Sequence, residues 1–307
     1  MGVDRRHFLE GLGGFAVFSP LTVCAASKQT VCHVSSASRA TCGLRVRFLG
    51  TGAADWEGAD LGLDFRRLTS VLFDGHVLVD YTTSARDMLP TGCRPEVIFY
   101  THSHADHYNA EAAVDLGVER VYCHVSWSDD LAREIAAAAG KLGRAAPRVI
   151  PMSFGQKAEE SGVVLTSLPA NHATERPGEH CSMYLVEKNE TRLLYATDTA
   201  GIPVEAARIV GIDAQQYPGN PLTALIMEAT MGVGYEDNLR IFTHSSVATV
   251  AQIVRVLKAT NRYRPRNPEQ KVYLTHLART LHGAHEQVAA AVPAPLTPAF
   301  DGLDVVL

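Results

Sequence analysis

The stretch Thr101-His102-Ser103-His104-Ala105-Asp106-His107 packs three imidazoles and one carboxylate into the six residues from His102 to His107. It follows the apolar, β-rich run Val97-Ile98-Phe99-Tyr100. Extended backbone points residues two apart to the same side, so His102 and His104 can face one ion. Asp106 and His107 come where the chain turns toward a helix, and they can face a second ion nearby. Burying such a set with nothing to bind would leave nitrogens and charge uncompensated. The stretch therefore reads as a metal centre at the end of a strand.

Other histidines and acids share the habit of following short β-rich runs. His172 follows Val163–Leu168 in Leu168-Pro169-Ala170-Asn171-His172. Asp198 follows Leu193-Leu194-Tyr195-Ala196-Thr197, and His276 follows Val272-Tyr273-Leu274-Thr275. Each alone is as compatible with a structural role as with a ligand. Added to the first cluster, they complete two coordination sets.

Outward from the cluster, the pattern reads as alternating strands and helices. The first strand is expected at Leu44–Leu49, ending at Gly50-Thr51-Gly52. Thr69–Phe73 and His76–Asp80 flank Asp74-Gly75, a strong hairpin signal. Helices are expected over 107–117 and 126–142, the second capped by Ser126 or Ser128. Val163–Leu168, Ser182–Glu187, Arg192–Ala196 and Leu222–Met227 read as strands. Val247–Ala259 reads as a helix, Val272–Leu274 as the last core strand, and a final helix is expected near 283–291. The fold class is α/β, with two sheets packed face to face and helices outside.

Bulk properties narrow the function classes. The chain has 307 residues, 46% of them hydrophobic and 20% charged, which suits a large core and excludes a disordered composition. The net charge of −5 gives no general attraction to a phosphate backbone, so long nucleic acid is a poor partner. A small anionic substrate remains compatible, because bound ions supply local positive charge. Residues 1–26 read as a targeting leader. Arg5-Arg6-His7-Phe8-Leu9 resembles the twin-arginine export motif, an apolar stretch follows, and Cys24-Ala25-Ala26 supplies small residues. The expected location is periplasmic or exported, with a cytoplasmic protein as the alternative. Pro20 and the short apolar length argue against a spanning helix. Leu21-Thr22-Val23-Cys24 resembles a lipoprotein cleavage box, but Val23 is bulky for that position. Residues 27–43 read as a linker and 44–307 as the catalytic domain. The six cysteines form no CxxC pair and no disulfide framework; one bridge, Cys32–Cys42, is conceivable in an oxidising compartment.

The order His-x-His-x-Asp-His, then an isolated His, an isolated Asp and a final His, resembles the metallo-β-lactamase superfamily. That resemblance implies an αββα sandwich with its site at one edge of two mixed β-sheets. It implies that His102, His104 and His172 hold one divalent metal ion, that Asp106, His107 and His276 hold a second, and that Asp198 bridges them. Zinc suits these donors best, with manganese or iron compatible. Asp80, after Val77-Leu78-Val79, matches an aspartate that supports the site from behind. A narrower resemblance links Leu168-Pro169-x-Asn171-His172, Thr197-Asp198-Thr199, Met227-Glu228-Ala229-Thr230 and Thr243-His244-Ser245-Ser246 to the branch holding the cyclic-phosphate phosphodiesterase of phosphonate breakdown and tRNase Z. It implies hydrolysis of a small phosphodiester, possible cyclic substrates included. A metal-bridged hydroxide oriented by Asp106 would attack, and His244, oriented by Glu228, would protonate the leaving group. Two features of that branch are missing. Residues 53–65 contain no cysteine for a structural zinc loop, and the long basic arm of tRNase Z is absent. The alternative is a lactone, ester or thioester hydrolase on the same metal site. Oligomeric state is not readable from the sequence.

Overall fold

A computed structural model describes residues 43–56, 64–215 and 219–307. The leader, the linker up to Cys42 and the Cys32–Cys42 pair lie outside the described residues. In chain order the elements are β1 (Arg45–Gly50), β2 (Ser70–Phe73), β3 (Val77–Val79), β4 (Val97–Phe99), α1 (Ala110–Leu116), β5 (Arg120–His124), α2 (Ser128–Leu142), β6 (Arg148–Met152), β7 (Lys157–Glu160) and β8 (Val163–Pro169). There follow β9 (Ser182–Lys188), β10 (Thr191–Ala196), α3 (Val204–Val210), β11 (Ala224–Glu228), α4 (Val247–Ala259), β12 (Val272–Thr275), α5 (His285–Ala291), β13 (Leu296–Pro298) and β14 (Asp304–Val306).

The strands form two mixed sheets of seven. One runs β14-β1-β2-β3-β4-β5-β6, the other β13-β12-β11-β10-β9-β8-β7. Alternation along each central strand explains the layers. Val97 and Phe99 enter the apolar cluster between the sheets, while Ile98 joins the cluster that also holds residues of α1 and α2. On β10, Leu193 and Tyr195 face the other sheet, and Leu194 and Ala196 pack with residues of α3 and α4. Strands covered on both faces read as continuous apolar runs, and these do. The result is the αββα sandwich, as expected.

The sequence reading differs from the structure where patterning was weak. Helix α1 starts at Ala110, not 107, because Asn109 caps it through Ala112 N at 2.8 Å and leaves Asp106 and His107 in the preceding turn. Helix α2 starts at Ser128 with no side-chain cap. Ser126 Oγ instead lies 2.9 Å from His124 Nδ1 and accepts from His180 N at 2.9 Å. Strands β5, β6 and β7 and helix α3 were not expected. Val272–Leu274 is not the last strand either. β13 extends the second sheet, and β14 returns to pair antiparallel with β1.

Two contacts fasten the sheets together at the end of β4. Ser182 N donates to Thr101 O at 2.9 Å, and Tyr184 Oη donates to Tyr100 O at 2.8 Å. Below them, Phe99 stacks on Tyr122 at 4.3 Å and meets Tyr184 of the opposite sheet edge-on at 5.7 Å. Phe99 is fully buried, so Phe99→Ala should lower unfolding stability by about 3–5 kcal/mol, read by denaturant titration. A loss below about 1 kcal/mol would show that the inter-sheet core tolerates the cavity.

Candidate metal centre

The site forms where strand ends meet sharp turns. Asp80 directly follows β3, His276 directly follows β12, and Asp198 comes two residues after β10. All three take left-handed backbone, with φ of 56°, 54° and 48°. Residues with a Cβ rarely adopt this region, and they persist in it only where surrounding structure holds them. The turns aim three polar side chains back toward the inter-sheet edge.

The donors converge in two groups. His102 Nε2 lies 2.9 Å from His104 Nδ1, and His172 Nε2 lies 3.3 Å from the same atom. His107 Nε2 and His276 Nε2 lie 3.4 and 3.3 Å from Asp106 Oδ2. Asp198 sits between the groups. Its Oδ2 is 3.0 Å from His107 Nε2, and its Oδ1 is 3.4 Å from His276 Nε2 and 3.8 Å from His172 Nε2. Every residue expected as a ligand is therefore brought together.

The opposite ring nitrogens fix the tautomers. Thr101 donates its hydroxyl to Asp80 Oδ2 at 2.8 Å, so at 2.9 Å it can only accept, from His102 Nδ1–H. His172 Nδ1 donates to Thr243 O at 3.1 Å, and His107 Nδ1 donates to Asp80 Oδ2 at 2.7 Å. Thr230 donates its hydroxyl to Glu228 Oε2 and accepts from His276 Nδ1 at 2.8 Å. A neutral imidazole has one donor and one acceptor nitrogen. These four rings thus turn lone pairs inward, two of them toward carboxylates. His107 Nε2 is buried without a hydrogen-bond partner despite its acidic neighbours. Two lone pairs converging on one His104 nitrogen and two facing carboxylates are an arrangement a cation relieves, so these residues fit divalent metal ions.

The electrostatics point the same way. Burial pulls His107 down, but Asp198, Asp106 and Asp80 outweigh it and hold the imidazole well above its ordinary value. Burial pushes Asp106 and Asp198 up, yet the adjacent imidazoles, His107 foremost, keep both well below the usual carboxylate range. His102 is driven well down by burial, with the charge of His107 adding to it.

His244 sits beside both groups. Its ring is 4.8 Å from that of His172 and stacks on that of His276 at 5.5 Å. Its Nδ1 is 3.2 Å from Glu228 Oε1 and 3.2 Å from Thr230 Oγ1. Burial lowers its pKa, but the charge and hydrogen bond of Glu228, with help from Asp198, raise it to about 9. Glu228 is buried and also accepts from Thr199 N at 2.7 Å.

Residues 77–277, more than half of the chain, match the family described as the beta-lactamase superfamily domain. The chain belongs to that superfamily. No curated protein gives a significant sequence match. Among solved structures, a diphosphatase from the PhnP family is 21% identical, with a TM-score of 0.58 over 86% of this chain and 98% of the other. The metallo-beta-lactamase fold protein YhfI from Bacillus subtilis is 15% identical, with a TM-score of 0.60 over 86% and 99%. The short form of human tRNase Z is 16% identical, with a TM-score of 0.56 over 85% and 98%. At these identities the likeness is one of fold. Superfamily membership and the complete donor constellation make the chain a metal-dependent hydrolase.

The sequence reading named the donor residues that the fold brings together but missed Thr101 and Thr230, the hydroxyls that orient His102 and His276. No spacing marks such a relay; it exists only once a buried carboxylate stands behind the threonine. The relay has a measurable consequence. Thr230→Val keeps the side-chain shape and removes the bond that orients His276. Any divalent ion bound at Asp106, His107 and His276 should be held about 10–100-fold more weakly in chelator competition, and one bound at the three-histidine set affected much less. Unchanged affinity would leave Thr230 without an orienting role.

Proposed function

We propose that this hydrolase cleaves a small phosphodiester and that His244 protonates its leaving group. The observation that carries the reading is the buried Glu228–His244 pair next to both donor groups. An ester or lactone hydrolase has less need of that pair, because an alkoxide is expelled from a tetrahedral carbon intermediate more readily than from a phosphodiester.

Two divalent cations held by His102, His104 and His172, by Asp106, His107 and His276, and by Asp198 between them would supply Lewis acidity and lower the pKa of water. The chain's own groups do the rest. Asp106 Oδ1 makes no hydrogen bond among the described residues, and through it Asp106 would orient the attacking hydroxide. Glu228 fixes the proton of His244 on Nδ1, and its charge keeps the ring protonated. Nε2 of that ring makes no hydrogen bond among the described residues and presents the proton to the departing oxygen. An unprotonated alkoxide is a poor leaving group near neutral pH, so this proton transfer is worth about 10²–10⁴-fold in rate. The net charge of −5 favours a small substrate over a long polyanion.

His244→Ala should retain full metal content while turnover of dialkyl phosphodiesters falls by about 10²–10⁴-fold. Hydrolysis of bis-p-nitrophenyl phosphate, with its good leaving group, should fall far less. Equal loss on both substrates would remove His244 from the proton-donor role, and faster turnover of a lactone panel than of any phosphodiester would favour the ester-hydrolase alternative.

We further propose that residues 1–26 are a twin-arginine export leader preceding a linker and the catalytic domain at 44–307. Fractionation of the native host should recover shortened protein outside the cytoplasm; full-length protein confined to the cytoplasm would defeat the export reading.

A further inference from the structure

The three-histidine group has a support that none of these roles uses. Glu179 lies between His172 and β9 in sequence, and its side chain is fully buried, with 0% exposure. One oxygen, Oε1, accepts from Ser103 N at 2.8 Å. The other, Oε2, accepts from Ser103 Oγ at 2.6 Å and from Thr174 Oγ1 at 2.8 Å. Ser103 stands between His102 and His104, and Thr174 is two residues beyond His172. One carboxylate is therefore bonded to both backbone stretches that carry the three converging nitrogens.

The surrounding anchors make this more than a surface tether. Arg176 donates to Glu134 Oε1 of α2 at 2.8 Å and lies over the Trp127 ring at 5.9 Å. His180 N is held by Ser126 Oγ. The segment is thereby fixed to α2, and Glu179 transmits that position to Ser103. The stretch from Thr101 to His104 lies outside any strand or helix, so Ser103 N–H has no ladder partner. Without Glu179 that donor would be orphaned, and a part-buried orphan moves to find a partner. Movement at Ser103 would carry His102 and His104 with it.

We infer that Glu179 is a positioning residue for the three-histidine metal set, acting as the hydrogen-bond acceptor that keeps the His102–His104 and His172 stretches in register. This rests on the two-set reading of the site given above. Its action is directional rather than electrostatic, which separates two substitutions. In Glu179→Leu all three donors lose their acceptor. In Glu179→Gln the amide oxygen can still accept from Ser103 N–H, while the amide NH2 donates to the two hydroxyls, which rotate to accept.

The test is chelator competition from metal-loaded protein, with zinc as the probe. A His276→Ala background reports the three-histidine set alone, and a His104→Ala background reports the other set. Glu179→Leu should weaken the three-histidine set by about 10–100-fold and leave the other within about threefold. Glu179→Gln should keep both within about threefold. Thr174→Val, which removes one of the three bonds and threatens folding least, should weaken the first set by a smaller factor in the same direction. Three results would overturn the inference: unchanged zinc affinity at the first set in Glu179→Leu, equal weakening of both sets with a lowered metal-free Tm, or Gln as damaging as Leu, which would assign the effect to charge. If the wild type held no zinc at either set, the ligand reading itself would fall, and the placement of Glu179 with it.

Discussion

Four imidazole rings whose outer nitrogens are already committed as donors must turn their remaining lone pairs toward one small volume. That constraint organises the molecule. Two of these lone pairs converge on His104 Nδ1 at 2.9 and 3.3 Å and two face Asp106 Oδ2 at 3.4 and 3.3 Å, a crowding of acceptors that positive charge relieves. The fold meets the constraint by delivering the donors from four strand ends, those of β4, β8, β10 and β12, so that two packed sheets fix the separations. Asp80, Asp198 and His276 take left-handed backbone at those ends, and the cores above and below hold them there.

The supports behind the donors follow one plan used twice. Asp80, at the end of β3 in the first sheet, accepts directly from His107 and, through Thr101, orients His102. Glu228, at the end of β11 in the second sheet, bonds directly to His244 and, through Thr230, orients His276. Asp80 thus couples one ring from each donor group. Glu228 couples a metal-facing ring to the ring proposed as proton donor. Displacing either carboxylate would disturb two functions together, so both are buried and fully bonded.

Legibility in the sequence followed the strength of local signals. The cluster from His102 to His107 was readable because imidazoles two apart after a β-rich run have few other uses. Val247–Ala259 matched its helix residue for residue, its apolar spacing being unbroken. The two-sheet architecture was readable from alternation and from the family resemblance. The failures were segments with weak patterning. β7, Lys-Ala-Glu-Glu, is an edge strand of mostly polar residues whose only signal is its pairing with β8. β14 pairs with β1 across nearly the whole chain, a partner no local window contains. Thr101, Thr230 and Glu179 escaped for a related reason. Their roles depend on groups brought close by the fold, and nothing in their own neighbourhood distinguishes them from ordinary polar residues.

Geometry alone allows other assignments at the heart of the site. His172, Asp198 and His244 form a cluster close enough to hold an ion, and so do Glu228, His244 and His276. Hydrogen-bond accounting excludes both. The Glu228 carboxylate already accepts from Thr199 N, Thr230 N and the Thr230 hydroxyl, leaving it poorly able to serve a cation as well. In each cluster the His244 atom that faces the acids is Nδ1. If Nδ1 gave its lone pair to an ion, the bond to Glu228 Oε1 would become a repulsion between an acceptor and a buried charge. Glu228 therefore holds a proton on Nδ1, and that proton is what keeps His244 out of the metal set. The same carboxylate that turns the His276 lone pair inward, by accepting through Thr230, holds the His244 Nδ1 proton outside the donor groups, in keeping with the proton-donor role proposed for it.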